Sequence, residues 1–231
     1  MPGDNTSHVN QFLREAAWMA CLPENVRERV CSEAYETTHG RNDVVAHRGE
    51  KVASWIGLRE GLLKVSSSHR SGKVVMFAGI PRNAWFGEGS VLKREPRRYD
   101  VIAMAPSSVV HVPRATFVWL LETSFEFNNF IIQHLNERLS QYMATTETDR
   151  ITDPVVRLAR AISTLFNPVL YPATGPLLKI SQEELGELAG LSRQRVNAAL
   201  GKLQRAALLR IDYGGVVVLN LAGIKKQAEL F

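Results

Sequence analysis

The sequence predicts an α+β chain: a compact antiparallel sandwich or jelly roll in the N-terminal half, one long helix, and a C-terminal helix-turn-helix followed by a hairpin. Three observations predict it. Short apolar or alternating runs punctuated by Gly, Pro, Ser and Asn fill residues 40–112. Mostly apolar residues then recur at alternating three- and four-residue steps from Phe125 to Tyr142. Finally Ser181 and Ser192 each stand just before an apolar-periodic run, with Gly190 between the two runs, as capped consecutive helices require.

Taken in order, residues 9–35 form short helices, with Phe12, Leu13, Ala16 and Ala17 at helical spacing and Leu22-Pro23 opening a second turn. The strand runs are Val44–Ala46, Ser54–Leu58, Leu62–Val65, Val74–Ala78, Val101–Met104 and Val109–Val112; His69-Arg70-Ser71-Gly72 and Gly79–Asn83 are turn-like. Helical texture begins at Pro113. After Ser124 the seam Phe125, Asn128, Ile132, Leu135, Leu139 and Tyr142 gives one helix more apolar surface than a small sheet covers. It is expected to pack on a second copy of itself, with Asn128 the polar residue that sets register. The polar, β-branched cluster Thr145-Thr146-Glu147-Thr148 ends it, and Asp153-Pro154 supplies an N-cap with proline at the first helical position. Three units follow: 1–123, 124–148 and 149–231.

Composition narrows the function. The chain has 231 residues, 45% of them hydrophobic, enough for real cores, and a formal net charge of +5. The excess is local: residues 151–231 carry 10 Lys/Arg against 6 Asp/Glu, and no acidic residue occurs from Leu188 to Ile211. The N-terminus has neither the basic nor the apolar region of a signal peptide, and no apolar run approaches the roughly 18–20 residues needed to cross a bilayer. A cytoplasmic protein without membrane attachment is expected. Cys21 and Cys31 are too few for a four-cysteine cluster, so no iron–sulfur centre is expected; the histidines are too dispersed to predict a haem. A jelly-roll metalloenzyme would need closely spaced histidines and a carboxylate, whereas His39, His47, His69 and His111 lie far apart. Neither a metal site nor an enzyme is expected.

Ser181-Gln182-Glu183-Glu184 is a capping-box pattern. In the next helix Val196, Ala199, Leu200 and Leu203 share one face; Gln194, Ala198, Gly201 and Arg205 point nearly opposite, flanked by Arg195, Asn197 and Lys202. Such a face suits duplex DNA. Arg, Gln and Asn can bond base edges in pairs, small residues permit close approach, and marginal cations neutralise phosphates. Leu208–Asp212, Tyr213-Gly214-Gly215 and Val216–Leu219 form a strand–turn–strand suited to a wing. The alternative is a ligand-binding sensor module with vestigial DNA contacts, which would have no reason to keep a basic, acid-free reading face.

Three segments carry a family resemblance: Trp85-Phe86-Gly87-Glu88, Asp153-Pro154-Val155-Val156-Arg157 and Leu191-Ser192-Arg193-Gln194-Arg195-Val196. In these, and in their order over residues 10–225, the chain resembles the Crp–Fnr superfamily, the catabolite activator protein and its relatives. The resemblance implies a cyclic-nucleotide-binding-type β-roll, a dimerisation helix and a winged helix-turn-helix, hence a homodimeric transcription regulator on an inverted-repeat site, with RNA polymerase a further partner. DNA contacts are expected from Ser181, Ser192, Arg193, Gln194, Arg195, Asn197, Lys202 and Arg205, the caps and outward face of the helix-turn-helix, and the resemblance bears on two of them. Arg193 matches the guanine-reading arginine; Gln194 stands where the catabolite activator has a base-contacting glutamate. Ala198 replaces a second base-reading arginine, so the DNA consensus should differ.

The resemblance also implies an effector pocket at Gly87, Glu88, Ser90 and Arg98, and Tyr99 and Tyr142 are expected to face it at positions where the chain departs from the family. Cyclic-AMP binders of the family follow the matching arginine with serine and a small residue and place Thr-Ser on the long helix. Here Tyr99-Asp100 and Tyr142-Met143 occupy those positions. The expected effector is therefore not cyclic AMP but a ligand whose anionic group is received near Arg98. If no ligand binds, Glu88 is expected to pair with Arg98.

Overall fold

The computed structural model describes residues 3–68, 74–148, 151–172 and 174–229. The turn-like His69–Gly72 lies outside them. Three N-terminal helices, α1 (Gly3–Glu15), α2 (Ala17–Ala20) and α3 (Glu24–Glu33), precede eight strands: β1 (Tyr35–His39), β2 (Val44–Ala46), β3 (Ser54–Glu60), β4 (Leu62–Ser68), β5 (Val74–Pro81), β6 (Trp85–Phe86), β7 (Asp100–Ala103) and β8 (Ser107–Pro113). A short helix, α4 (Glu88–Lys93), interrupts them after β6. The strands make two four-stranded antiparallel sheets, ordered β1-β8-β3-β6 and β2-β7-β4-β5. The α+β class and the β-roll are as the sequence predicts.

Two elements of this half carry no apolar signature. Strand β1, Tyr-Glu-Thr-Thr-His, has no buried residue and is placed by its pairing to β8. Helix α4 is set by Gly87, whose φ of 91° is the left-handed conformation that glycine adopts without strain. Beneath the β1-side sheet an aromatic cluster joins the N-terminal helices to the roll: Trp18 lies 5.2 Å from Trp55 and 5.1 Å from Trp85, centroid to centroid, and Phe127 packs edge-on against Trp18.

Helices α5 (Arg114–Thr123) and α6 (Phe125–Thr148) follow. Ser124 Oγ accepts the Phe127 amide at 3.1 Å and so starts α6. The exposed stripe of α6 is not quite the predicted seam. Phe125, Ile132 and Leu139 are exposed, Leu139 at 57%, but Leu135 turns inward onto the aromatic core. Asn128 donates to the carbonyls of Leu121 and Ser124 within its own chain, so it caps the α5–α6 junction rather than a seam. The outward stripe is Phe125, Asn129, Ile132, Asn136, Leu139 and Met143, and Tyr142 of the predicted seam is also exposed. The step order of the heptad is reversed because the sensor core claims the neighbouring face.

The C-terminal part holds α7 (Pro154–Thr164), β9 (Leu177–Leu178), α8 (Gln182–Ala189), α9 (Arg193–Arg205), β10 (Leu209–Asp212), β11 (Gly215–Val218) and α10 (Leu221–Ala228). Asp153 caps α7, its Oδ1 accepting the Val155 amide at 2.7 Å with Pro154 behind it. One core unites α7–α10 and the three-stranded β10-β11-β9 sheet, and it extends to Leu62 and Met104 of the roll. The segment between α7 and β9 inserts Leu170 and Tyr171, each 1% exposed, into the core between the two sheets of the roll. Ion pairs Arg41–Glu184 (3.0 Å) and Lys64–Glu187 (2.6 Å) add a polar seam between roll and α8. The sequence predicts neither that insertion nor α10.

Candidate nucleic-acid interface and effector cavity

Helices α8 and α9 form the helix-turn-helix, and local chemistry fixes both ends of its turn. Ser181 Oγ accepts the Glu184 amide at 3.2 Å while Glu184 Oε2 accepts the Ser181 amide at 2.6 Å, the reciprocal capping box. Gly190 ends α8 with φ 62°, and Ser192 Oγ accepts the Arg195 amide at 3.4 Å to begin α9. The buried face of α9 is Val196, Ala199, Leu200 and Leu203. On the other side Arg193, Gln194, Arg195, Asn197, Ala198, Lys202 and Arg205 are all exposed.

These residues form one surface with no carboxylate on it. Ser181 is half-buried and acts within its cap; Ser192 is exposed at the start of α9. Arg195 departs from a simple flanking role, donating to the Thr152 carbonyl at 3.1 Å and tying α9 to the segment before α7. Arg157 Nε donates to the Ala189 carbonyl at 3.0 Å and braces the turn from α7. The β10–β11 hairpin projects Tyr213 fully into solvent at its tip.

The sensor half encloses a cavity of about 510 Å³ between the roll, α4 and α6. Gly87, Glu88, Ser90, Arg98, Tyr99 and Tyr142 all line it, so the fold brings together residues spread over more than fifty positions. Their pairing is not the predicted one. Arg98 is 79% exposed at the side chain and bonds Glu95 at 2.9 Å, so it stands at the mouth. Glu88 is instead held by α6: Arg138 Nε donates to its Oε1 at 3.1 Å, and His134 Nδ1 lies 3.6 Å from the same oxygen. Arg138 Nη2 also donates to the Trp85 carbonyl at 3.0 Å. Burial alone would raise the Glu88 pKa, but the charge of Arg138, with the neighbouring His134, outweighs it and holds the carboxyl at about 2. The carboxylate is ionised and desolvated, engaged through Oε1, while its buried Oε2 has no hydrogen-bond partner among the described residues.

The inward arginine is Arg97, not its neighbour. Its guanidinium is buried, and a Cβ on Gly87 would stand 3.2 Å from Nη1. Arg98, next to it in the irregular loop before β7, is exposed. Sequence reasoning missed Arg97, Arg138 and His134. Arg138 and His134 lie one turn apart on the α6 face opposite Phe125 and Ile132, a helical-wheel signal that was available. Among the described residues no three His, Cys, Asp or Glu side chains are grouped to hold a metal, and no helix is long and apolar enough to cross a membrane.

A β-roll closed by a long helix, followed by a winged helix-turn-helix, defines a two-domain transcription regulator. Residues 36–124 match the cyclic nucleotide-binding domain and residues 156–227 the Crp-like helix-turn-helix domain. The chain belongs to the Crp–Fnr family of transcription regulators. It is 27% identical over 175 residues to the Global nitrogen regulator of Synechococcus elongatus, covering 74% of this chain and 79% of that one. It is 24% identical over 184 residues to the cAMP-activated global transcriptional regulator CRP of Pasteurella multocida, covering 74% and 84%. The solved structure of FixK2 from Bradyrhizobium japonicum shares the fold, with a TM-score of 0.70 and 16% identity over 86% of this chain and 98% of that one.

Proposed function

We propose that the chain acts in the cytoplasm as a homodimer on inverted-repeat DNA, with the two α9 helices in successive major grooves and a small-molecule effector in the roll cavity setting their spacing. The observation that carries this reading is the α9 surface, where Arg193, Gln194 and Asn197 are exposed on the first two turns of a capped helix with no acidic neighbour. Such a helix offers base-edge donors and acceptors at its N-terminal end, the end that enters the groove. Half-sites should lie roughly 34 Å apart, one turn of DNA. The dimer would form along Phe125, Ile132, Leu139 and Met143, and RNA polymerase would be met at the promoter.

The effector would be an acid or another planar anion rather than cyclic AMP. Tyr99 and Tyr142 line the cavity with phenol rings, Arg98 stands at the mouth, and Asp100 follows where a small residue would accommodate a cyclic phosphate. No cofactor belongs to this reading, since two cysteines cannot supply four thiolates. Selection from random duplex oligonucleotides with the purified chain tests the DNA reading: an inverted repeat is expected, and no enrichment would refute it. Calorimetry with cyclic AMP, cyclic GMP and a panel of organic acids tests the effector. Saturable micromolar cyclic-AMP binding that tightens DNA affinity would refute that part.

A further inference from the structure

The chemistry of the roll cavity changes with depth. Its floor is apolar: Val65 of β4, Ile80 of β5 and Phe86 of β6 are buried and line it, with Ala78 beside them. Leu135 and Leu139 of α6 continue the apolar wall. The lining stretch of α6, Leu135 to Tyr142, spans about 10 Å at 1.5 Å per residue. Charge collects on α4 and the loop after it. Lys93 and Arg98 are exposed there; Arg98 pairs with Glu95, whereas Lys93 has no ion pair among the described residues.

The charges deeper in already neutralise each other, Glu88 against Arg138 at 3.1 Å. Ser90, Tyr99 and Tyr142 add only neutral hydroxyls to the lining. A sugar, a nucleobase or a cyclic phosphate carried to the floor would exchange its bonds with water for the side chains of Val65, Ile80 and Phe86, at a cost for each polar group left unpaired. An alkyl chain has no such bonds to lose, and each methylene taken out of water is stabilising. An anionic group belongs at the mouth. The lining holds three cations, Lys93, Arg98 and Arg138, against two carboxylates, Glu88 and Glu95, and the surplus positive charge lies on the exposed side.

We propose that the roll cavity takes a medium-chain aliphatic carboxylic acid, its alkyl chain lying along α6 to the floor of Val65, Ile80 and Phe86 and its carboxylate received at the mouth by Arg98 and Lys93. The inference rests on the reading that an acid is the effector and narrows it from acids in general to acyl chains. Selectivity comes from chain length more than from charge, because Arg98 and Lys93 are exposed and an ion pair in water contributes little.

The test uses the full chain with butanoate, hexanoate, octanoate and dodecanoate below their micelle-forming concentrations, and with benzoate and cyclic AMP for comparison. Calorimetry should show affinity rising about fourfold per methylene as far as octanoate and levelling off by dodecanoate. Arg98→Ala with Lys93→Ala should weaken every acid by the same factor, about threefold, and leave the gain per methylene unchanged. Ala78→Leu, which narrows the floor, should remove the gain beyond hexanoate; the series on the unaltered chain decides the matter if that variant fails to fold. Affinity that does not rise from butanoate to octanoate, or benzoate bound as tightly as octanoate, overturns the inference and leaves an acid effector standing. Cyclic AMP bound at micromolar concentration with tightened DNA affinity overturns both. Nuclear Overhauser contacts from the terminal methyl of octanoate to the Val65 and Ile80 methyls support the assignment, whereas contacts to Phe125, Ile132 or Met143 place the acid on the outer face of α6 and overturn it.

Discussion

The outward face of α9 and the Glu88 network are both built from charged and polar side chains, yet they are made in opposite ways. All the candidate base-reading residues of α9 lie within one 13-residue helix, exposed to water and positioned by caps a few residues away. The Glu88 network joins α4, α6 and β6 across about fifty residues of sequence and is largely buried at the wall of the roll cavity. Truncating a group on the first surface should cost binding and leave the fold intact. Truncating a member of the second strands a buried charge, so the fold itself should suffer.

The largest effect that could break this contrast is Arg138→Ala. Removing one partner of a buried ion pair costs about 3–5 kcal/mol, to be measured by urea denaturation; a loss under 1 kcal/mol would show the network to be loosely held. Its pH signature has a definite sign. Glu88 is held at about 2, below its ordinary 4.5, so its contribution is complete above pH 4.5 and is lost as pH falls toward 2. His111, which is hydrogen-bonded to Ser54 and Thr37, adds an earlier limb. Burial, then the charges of His39 and Arg97, lower its pKa from 6.5 to about 4. The folded state therefore favours neutral His111, and that stability is lost as pH falls from 6.5 toward 4. His111→Asn should abolish the earlier limb in an acid-denaturation profile and leave the later one.

Next in size is the α6 stripe. Ile132→Glu with Leu139→Glu should convert a dimer to monomers, a loss of about 2–4 kcal/mol at interface anchors, measured by sedimentation at micromolar concentration. Leu135→Glu should instead destabilise the sensor fold, because Leu135 packs inward; similar behaviour for the two changes would refute the reversed heptad. Arg193→Ala should weaken specific DNA binding by about 1–3 kcal/mol, relaxing preference at one base pair per half-site with an unchanged melting temperature. The smallest effect is Lys202→Ala, which should weaken all sequences alike and reduce the salt slope by about one per protomer, read from binding isotherms at several salt concentrations.

Legibility followed the range of the interactions. The caps at Asp153, Ser181 and Ser192 and the glycine at 190 lie where their motifs put them, because each requires only three or four residues to agree. The strand runs were legible for the same reason, while β1 was not, since pairing with β8 rather than any apolar residue makes it a strand. The sensor site was half legible. Gly87 and Glu88 were recognised from a short segment, but their partners were not: Arg98 and Arg97 are equally good candidates in sequence, and only the direction of the chain through that loop turns one inward.

The sequence by itself determined the class of fold, the order of roll, long helix and winged helix-turn-helix, and the side chains displayed on α9, because periodicity and capping act over a turn or two. The tertiary structure alone decided which arginine meets Glu88, which face of α6 remains outward, and that Leu170 and Tyr171 enter the sensor core. Those outcomes depend on competition among distant surfaces for the same buried space, and no local pattern records which surface wins.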